Sequence, residues 1–238
     1  MKLNVQSEKE LNRIITGYTT SDGLKSIDDR RRPERHQLGM YLALLRKNKR
    51  KGIFPMVVEE LSPKNDPPDY IIKLPKKMTI GLEVTEATNE NYRKEEHQKT
   101  NDLKEGEVYS EGVDGTIYLD HMEAPPVNKS LVYKKNADAI FDAITRKTKI
   151  LERIRLKKCS VNHLGIWPNM PQAIWLNSEK ALNIVERHLT ETLNGELFSG
   201  FFDRIFILQN PGERQYLFCF ERFKYTYRAI PLRSAFNT

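Results

Sequence analysis

The sequence predicts a mixed α/β fold, a mixed sheet with helices on its faces. Three observations predict it. Residues 69–87 carry two apolar runs across a short polar turn, the pattern of a hairpin. Residues 137–158 carry an apolar stripe at helical spacing. Beyond them, strand-like runs are separated by helix-like segments, which implies parallel crossovers beside the antiparallel first half.

The elements follow in order. Residues 1–32 read as an N-terminal arm with a short helix at Ser7 to Thr16. Pro33 suits the first turn of a helix reaching about Lys49, with Leu38, Tyr41, Leu42 and Leu45 as its stripe and Gly52 beyond its end. Phe54 to Leu61 reads as a strand, and the proline-rich 62–68 as a loop. Asp69 to Leu74 and Thr79 to Ala87 form the hairpin. Residues 88–136 are polar and irregular, an insertion with some helical character at Asn91 to Leu103. After the helix Ala137 to Lys158 comes a strand at Gln172 to Asn177, then a helix capped by Ser178 and running to about Leu193. Asp203 to Gln209 and Gln215 to Phe220 are strands joined through Pro211-Gly212. The organisation expected is an arm over 1–32 and one domain over 33–238, its core at about 33–177 and its insertion at about 88–136.

The net charge of +7 favours a polyanionic partner, nucleic acid most commonly, and does not separate DNA from RNA. Basic blocks lie at Arg30-Arg31-Arg32 with Arg35, at Arg46 to Lys51, and at Arg153 to Lys158, which includes Arg155 and Lys157. Nucleic-acid contact is the favoured reading of these blocks, and a solvated basic face is the alternative. No apolar run is long enough for a membrane helix, and the N-terminus turns polar too early for a signal peptide. The two cysteines, Cys159 and Cys219, form no CxxC pair, and a reducing cytoplasm is the expected setting. Oligomeric state is not legible.

The hairpin carries the chemistry. In Thr79 to Thr85 the residues Ile80, Leu82 and Val84 point one way, and Gly81, Glu83 and Thr85 the other. Pairing Asp69 with Glu83 leaves a three-residue turn at Pro75 to Lys77. Opposed residues have Cβ atoms about 4.5–5.5 Å apart. Two carboxylates that close repel unless a cation or a shared proton intervenes. Oxygen ligands with open positions suit Mg²⁺ or Mn²⁺. A slip of one residue would separate the acids. The alternative is an exposed hairpin with incidental acids, offset by Lys73, Lys76 and Lys77.

Pro68-Asp69 followed by Glu83-x-Thr85, between a preceding helix and a long following one, resembles the PD-(D/E)XK (restriction-endonuclease-like) nuclease superfamily. The likeness covers roughly residues 33–177. It implies a restriction-endonuclease-like sheet flanked by helices and a Mg²⁺- or Mn²⁺-dependent deoxyribonuclease. It also implies Asp69 and Glu83 as metal ligands, the Val84 carbonyl beside the metal, and Glu34 as an additional acid. The superfamily's lysine, two residues after the second acid, is here Thr85. Several branches of the superfamily supply that cation from the following helix. In this chain Lys147 fills the gap in the stripe of Ile140, Ile144, Leu151 and Ile154, whereas Lys149 points elsewhere. A lysine at such a position either has an anionic partner or snorkels off the stripe's edge. Without a replacement cation, the reading becomes an inactive nucleic-acid-binding or assembly protein that retains the fold.

Other constellations are weaker. Asp120, His121 and Asn128 are the ingredients of a histidine–metal nuclease. No P-loop, GxGxxG or GxSxG occurs. Glu86 reads as solvated at a strand end. Phe218, Phe220, Phe223, Tyr225 and Tyr227, interleaved with Arg222, Lys224 and Arg228, read first as sheet core and second as a surface tracking nucleic acid.

Overall fold

The structure, a computed structural model, describes residues 1–20, 32–48, 52–61, 67–88, 109–111, 117–119, 129–153, 159–168, 179–195, 201–208, 218–223 and 226–230. The strands are β1 (Lys2–Val5), β2 (Met56–Glu60), β3 (Tyr70–Lys73), β4 (Thr79–Ala87), β5 (Tyr109–Glu111), β6 (Ile117–Leu119), β7 (Val161–Pro168), β8 (Arg204–Ile207), β9 (Phe218–Phe223) and β10 (Thr226–Ile230). The helices are α1 (Glu8–Thr19), α2 (Arg32–Asn48), α3 (Lys129–Arg153) and α4 (Glu179–Gly195). Eight strands form one mixed sheet in the order β1-β2-β3-β4-β7-β8-β9-β10. β4, β7 and β8 run parallel, and the other neighbours in that sheet run antiparallel. β5 and β6 make a separate antiparallel pair within the expected insertion.

Each face of the sheet carries its own core. Leu11 and Ile15 of α1 and Leu38, Tyr41, Leu42 and Leu45 of α2 pack with Met56, Val58, Tyr70, Ile72, Ile80, Leu82 and Val84. On the other face, Ala137, Ile140, Ile144 and Leu151 of α3 and Val185 and Leu189 of α4 pack with Leu164, Ile166, Ile205, Ile207 and Phe220. Each of the large apolar side chains contributes about 1.5–3 kcal/mol by leaving water. The period-two alternation of β4 therefore assigns Ile80, Leu82 and Val84 to the α1/α2 layer and Glu83 to the α3 layer.

Several expectations change. The N-terminal residues are not a detached arm. β1 pairs with β2, and α1 packs on α2. Ser7 caps α1 by accepting from the Glu10 N–H, and Glu10 reaches back to the Gln6 N–H. The two helices approach closely at Gly39, where a Cβ would lie 2.8 Å from Tyr18 Cβ. α3 starts eight residues earlier than its stripe suggested and ends at Arg153. The strand parallel to β4 is β7, whereas the expected strand Gln172 to Asn177 lies outside the described residues. β7 hides its identity because both of its faces are covered. Leu164 and Ile166 face α3 and α4, His163 packs on Tyr41, and Gly165 makes room for Leu208. A central parallel strand covered on both sides lacks the polar alternation that marks a strand in sequence. β9 and β10 divide the aromatic run, burying Phe220 and Tyr227 while Phe223 stays 54% exposed beneath the Arg228 guanidinium. Among the described residues, no helix is long and apolar enough to cross a membrane.

Candidate functional site

The hairpin of β3 and β4 is closed by the three residues Pro75 to Lys77. The Leu74 N–H donates to the Met78 carbonyl at 2.8 Å, and Lys76 and Lys77 both adopt φ of 60°. Tyr70 pairs with Leu82, Ile71 with Gly81, Ile72 with Ile80 and Lys73 with Thr79. Continued by one residue, this register sets Asp69 opposite Glu83. Two hydrogen bonds lock the acids together. The Asp69 N–H donates to Glu83 Oε2 at 3.1 Å, and the Val84 N–H donates to Asp69 Oδ2 at 2.9 Å. Pro68 is buried beside them, and Gly81 admits it. A Cβ at Gly81 would lie 3.1 Å from Pro68 Cγ and 2.6 Å from Asn162 Oδ1.

The crossover helix supplies the third group. α3 lies against β4 and places Lys147 Nζ 2.5 Å from Glu83 Oε1. The Lys147 side chain is 20% exposed and that of Glu83 6%, so this is a largely buried ion pair. Arg146, one residue earlier, donates to the Glu86 carbonyl and ties the helix to the end of β4. Lys149 is exposed, as its position on the helix implies. Thr85 shares the sheet face of Glu83 and is half-buried, without a charge to offer.

Burial, and then the Asp69 charge, push the Glu83 carboxyl from its ordinary 4.5 up to about 7, against the pull of Lys147. Burial pulls the Lys147 ammonium down, but Glu83, Asp69 and Glu34 together leave it above the ordinary lysine range. Between about pH 4.5 and 7 the folded chain therefore holds more protons at Glu83 than the unfolded chain. The stability tied to that proton is complete below about pH 4.5 and is lost as the pH rises through 7. Urea unfolding of the wild type and of Glu83→Gln tests this. From about pH 5 to about pH 8 the wild type should lose on the order of 1–3 kcal/mol relative to the variant. Parallel pH profiles for the two proteins would refute it.

The other expected site residues are less convergent. Glu34 stands in the first turn of α2, and its charge reaches Lys147 and Tyr70. Among the described residues, however, no three His, Cys, Asp or Glu side chains converge closely enough to hold a metal. The groups that could hold a metal are Asp69, Glu83 and the carbonyl of Val84. Backbone alternation turns that carbonyl to the same strand edge as the Val84 N–H, which faces Asp69. Two carboxylates and a carbonyl fit Mg²⁺ or Mn²⁺, ions that keep waters and substrate phosphates in their remaining positions.

Arg35 donates to Glu60 at 3.2 Å and is 22% exposed, and Glu60 also pairs with the N-terminal ammonium of Met1 at 3.8 Å. Arg32 opens α2 and Arg153 closes α3, while Arg31, Arg155, Lys157, Asp120 and His121 lie outside the described residues. Asn128 lies outside them as well. Sequence reasoning missed Gly81 and Arg146. A glycine inside an otherwise apolar strand was the available signal for the first, and nothing in the spacing marked the second. The chain matches no protein-family model, no curated protein and no solved structure.

Proposed function

We propose that this chain is a metal-dependent nuclease that hydrolyses phosphodiester bonds in DNA. One observation carries the reading. Two carboxylates from a hairpin and one ammonium from a helix 64 residues further on meet at a single point of the sheet. Buried charges so grouped are costly to the fold, and such clusters are characteristic of functional sites. Asp69, Glu83 and the Val84 carbonyl would hold Mg²⁺ or Mn²⁺. Such an ion supplies Lewis acidity toward a phosphoryl group and makes a water more acidic. Lys147 presents positive charge where the phosphoryl oxygens gain negative charge. The Asp69 N–H bond to Glu83 and the Val84 N–H bond to Asp69 hold both carboxylates in place. The net charge of +7 supports a polyanionic substrate.

The rival reading, an inactive nucleic-acid-binding or assembly protein, draws on the absence of charge at Thr85 and on the closure of Glu83 by Lys147. Supercoiled plasmid, linear DNA and RNA incubated with the protein in Mg²⁺, in Mn²⁺ and in EDTA separate the two. The expected result is DNA cleavage in either metal and none in EDTA. Salt-sensitive DNA binding without cleavage in any metal would establish the rival.

A further inference from the structure

We propose that Lys147 is an internal competitor for the metal of this site, and that an anionic phosphodiester relieves the competition. The proposal rests on the nuclease reading and concerns the order in which its ligands assemble. Both oxygens of Glu83 are already engaged. Oε2 accepts the Asp69 N–H at 3.1 Å, and Oε1 accepts the Lys147 ammonium at 2.5 Å. Asp69 Oδ2 is turned toward the Val84 N–H. A divalent cation entering between the carboxylates therefore meets a positive charge seated on one of them. In a site this buried, that repulsion is weakly screened.

Charge counting gives the direction. Asp69, Glu83 and Lys147 together leave the contact cluster with one net negative charge. A divalent cation turns these three groups net positive, Glu34 offsets part of that charge from the first turn of α2, and one phosphodiester removes the excess that remains. Lys147 has somewhere to go, because its chain is one-fifth exposed and an ammonium on a four-carbon stem reorients by rotamer change alone. A phosphate at the site offers the ammonium a new partner and frees Glu83 Oε1 for the metal. The lysine thus couples metal and substrate, each strengthening the binding of the other by the same factor.

The test is Mn²⁺ titration of wild type, Lys147→Met and Lys147→Gln by calorimetry, with Asp69→Ala to locate the site. Thermal melts check that each variant is folded, and the glutamine variant keeps a hydrogen-bond donor for Glu83 should methionine destabilise the chain. Each titration is repeated at several pH values, so that proton uptake at the carboxylates is separated from the effect of the lysine. Both variants should bind Mn²⁺ alone about tenfold or more tightly than wild type. A cleavage-resistant phosphorothioate duplex should tighten Mn²⁺ binding to wild type clearly more than to either variant. Equal Mn²⁺ affinity in wild type and both variants, or equal tightening by the duplex, would overturn the competition while leaving the metal site standing. No Mn²⁺ binding by wild type or by either variant would overturn the metal site and the competition together.

Discussion

Alanine at Asp69 or at Glu83 is expected to remove Mn²⁺ binding and to lower DNA cleavage by about 10³-fold or more, the several kcal/mol that an ion contributes to a phosphoryl transition state. The two variants should differ in their cost to the fold. Asp69→Ala leaves the buried Val84 N–H without its carboxylate acceptor, a loss of about 1–3 kcal/mol. Glu83→Ala leaves the ammonium of Lys147 without its partner in a largely buried position, and a cost of about 3 kcal/mol follows. Glu83→Gln keeps the shape and an acceptor for Lys147, and is the cleaner probe of chemistry. Calorimetry gives the metal affinity, and circular dichroism melts show that loss of activity is not loss of fold. Mn²⁺ affinity unchanged in both Asp69→Ala and Glu83→Gln would remove these residues from the site.

Lys147→Ala is expected to lower turnover at saturating Mn²⁺ by about 10²–10³-fold, the effect of deleting one positive charge that acts on the transition state. KM for DNA should change little, since a single ammonium adds little to the binding of a long polyanion. Lys149→Ala is the matched control. It removes the same charge from the same helix at an exposed position, and turnover should stay at the wild-type value. Lys147→Arg should recover part of the lost rate, because its positive charge persists while its planar fork alters the geometry. Equal turnover in Lys147→Ala and Lys149→Ala would make the buried ion pair purely structural and would favour the inactive reading.

How much of this was legible beforehand follows the range of the interactions involved. The hairpin could be read because its information is local. Alternation from Ile80 to Val84 selects a face, and a three-residue turn at Pro75 to Lys77 sets the register, so the opposition of Asp69 and Glu83 follows from about twenty consecutive residues. α2 could be read from its stripe of Leu38, Tyr41, Leu42 and Leu45, all fully buried. Lys147 could be placed on the sheet-facing side of α3 because a cation interrupting an apolar stripe stands out.

The sequence by itself determined the acids, their register and the helix face that carries the lysine, since each follows from a repeat period along a continuous segment. Only the tertiary structure decided what those faces meet. That Lys147 lands on Glu83 depends on where the crossover to β7 lays α3 across β4, a parallel pairing between segments about eighty residues apart. That Arg35 is ion-paired depends on Glu60 arriving beside it on β2. That residues 2–19 join the fold depends on β2 offering its edge to β1 and on α2 offering Gly39 to α1. None of these pairings leaves a periodic trace in the chain, because each is set by the shape and charge of a partner distant in sequence.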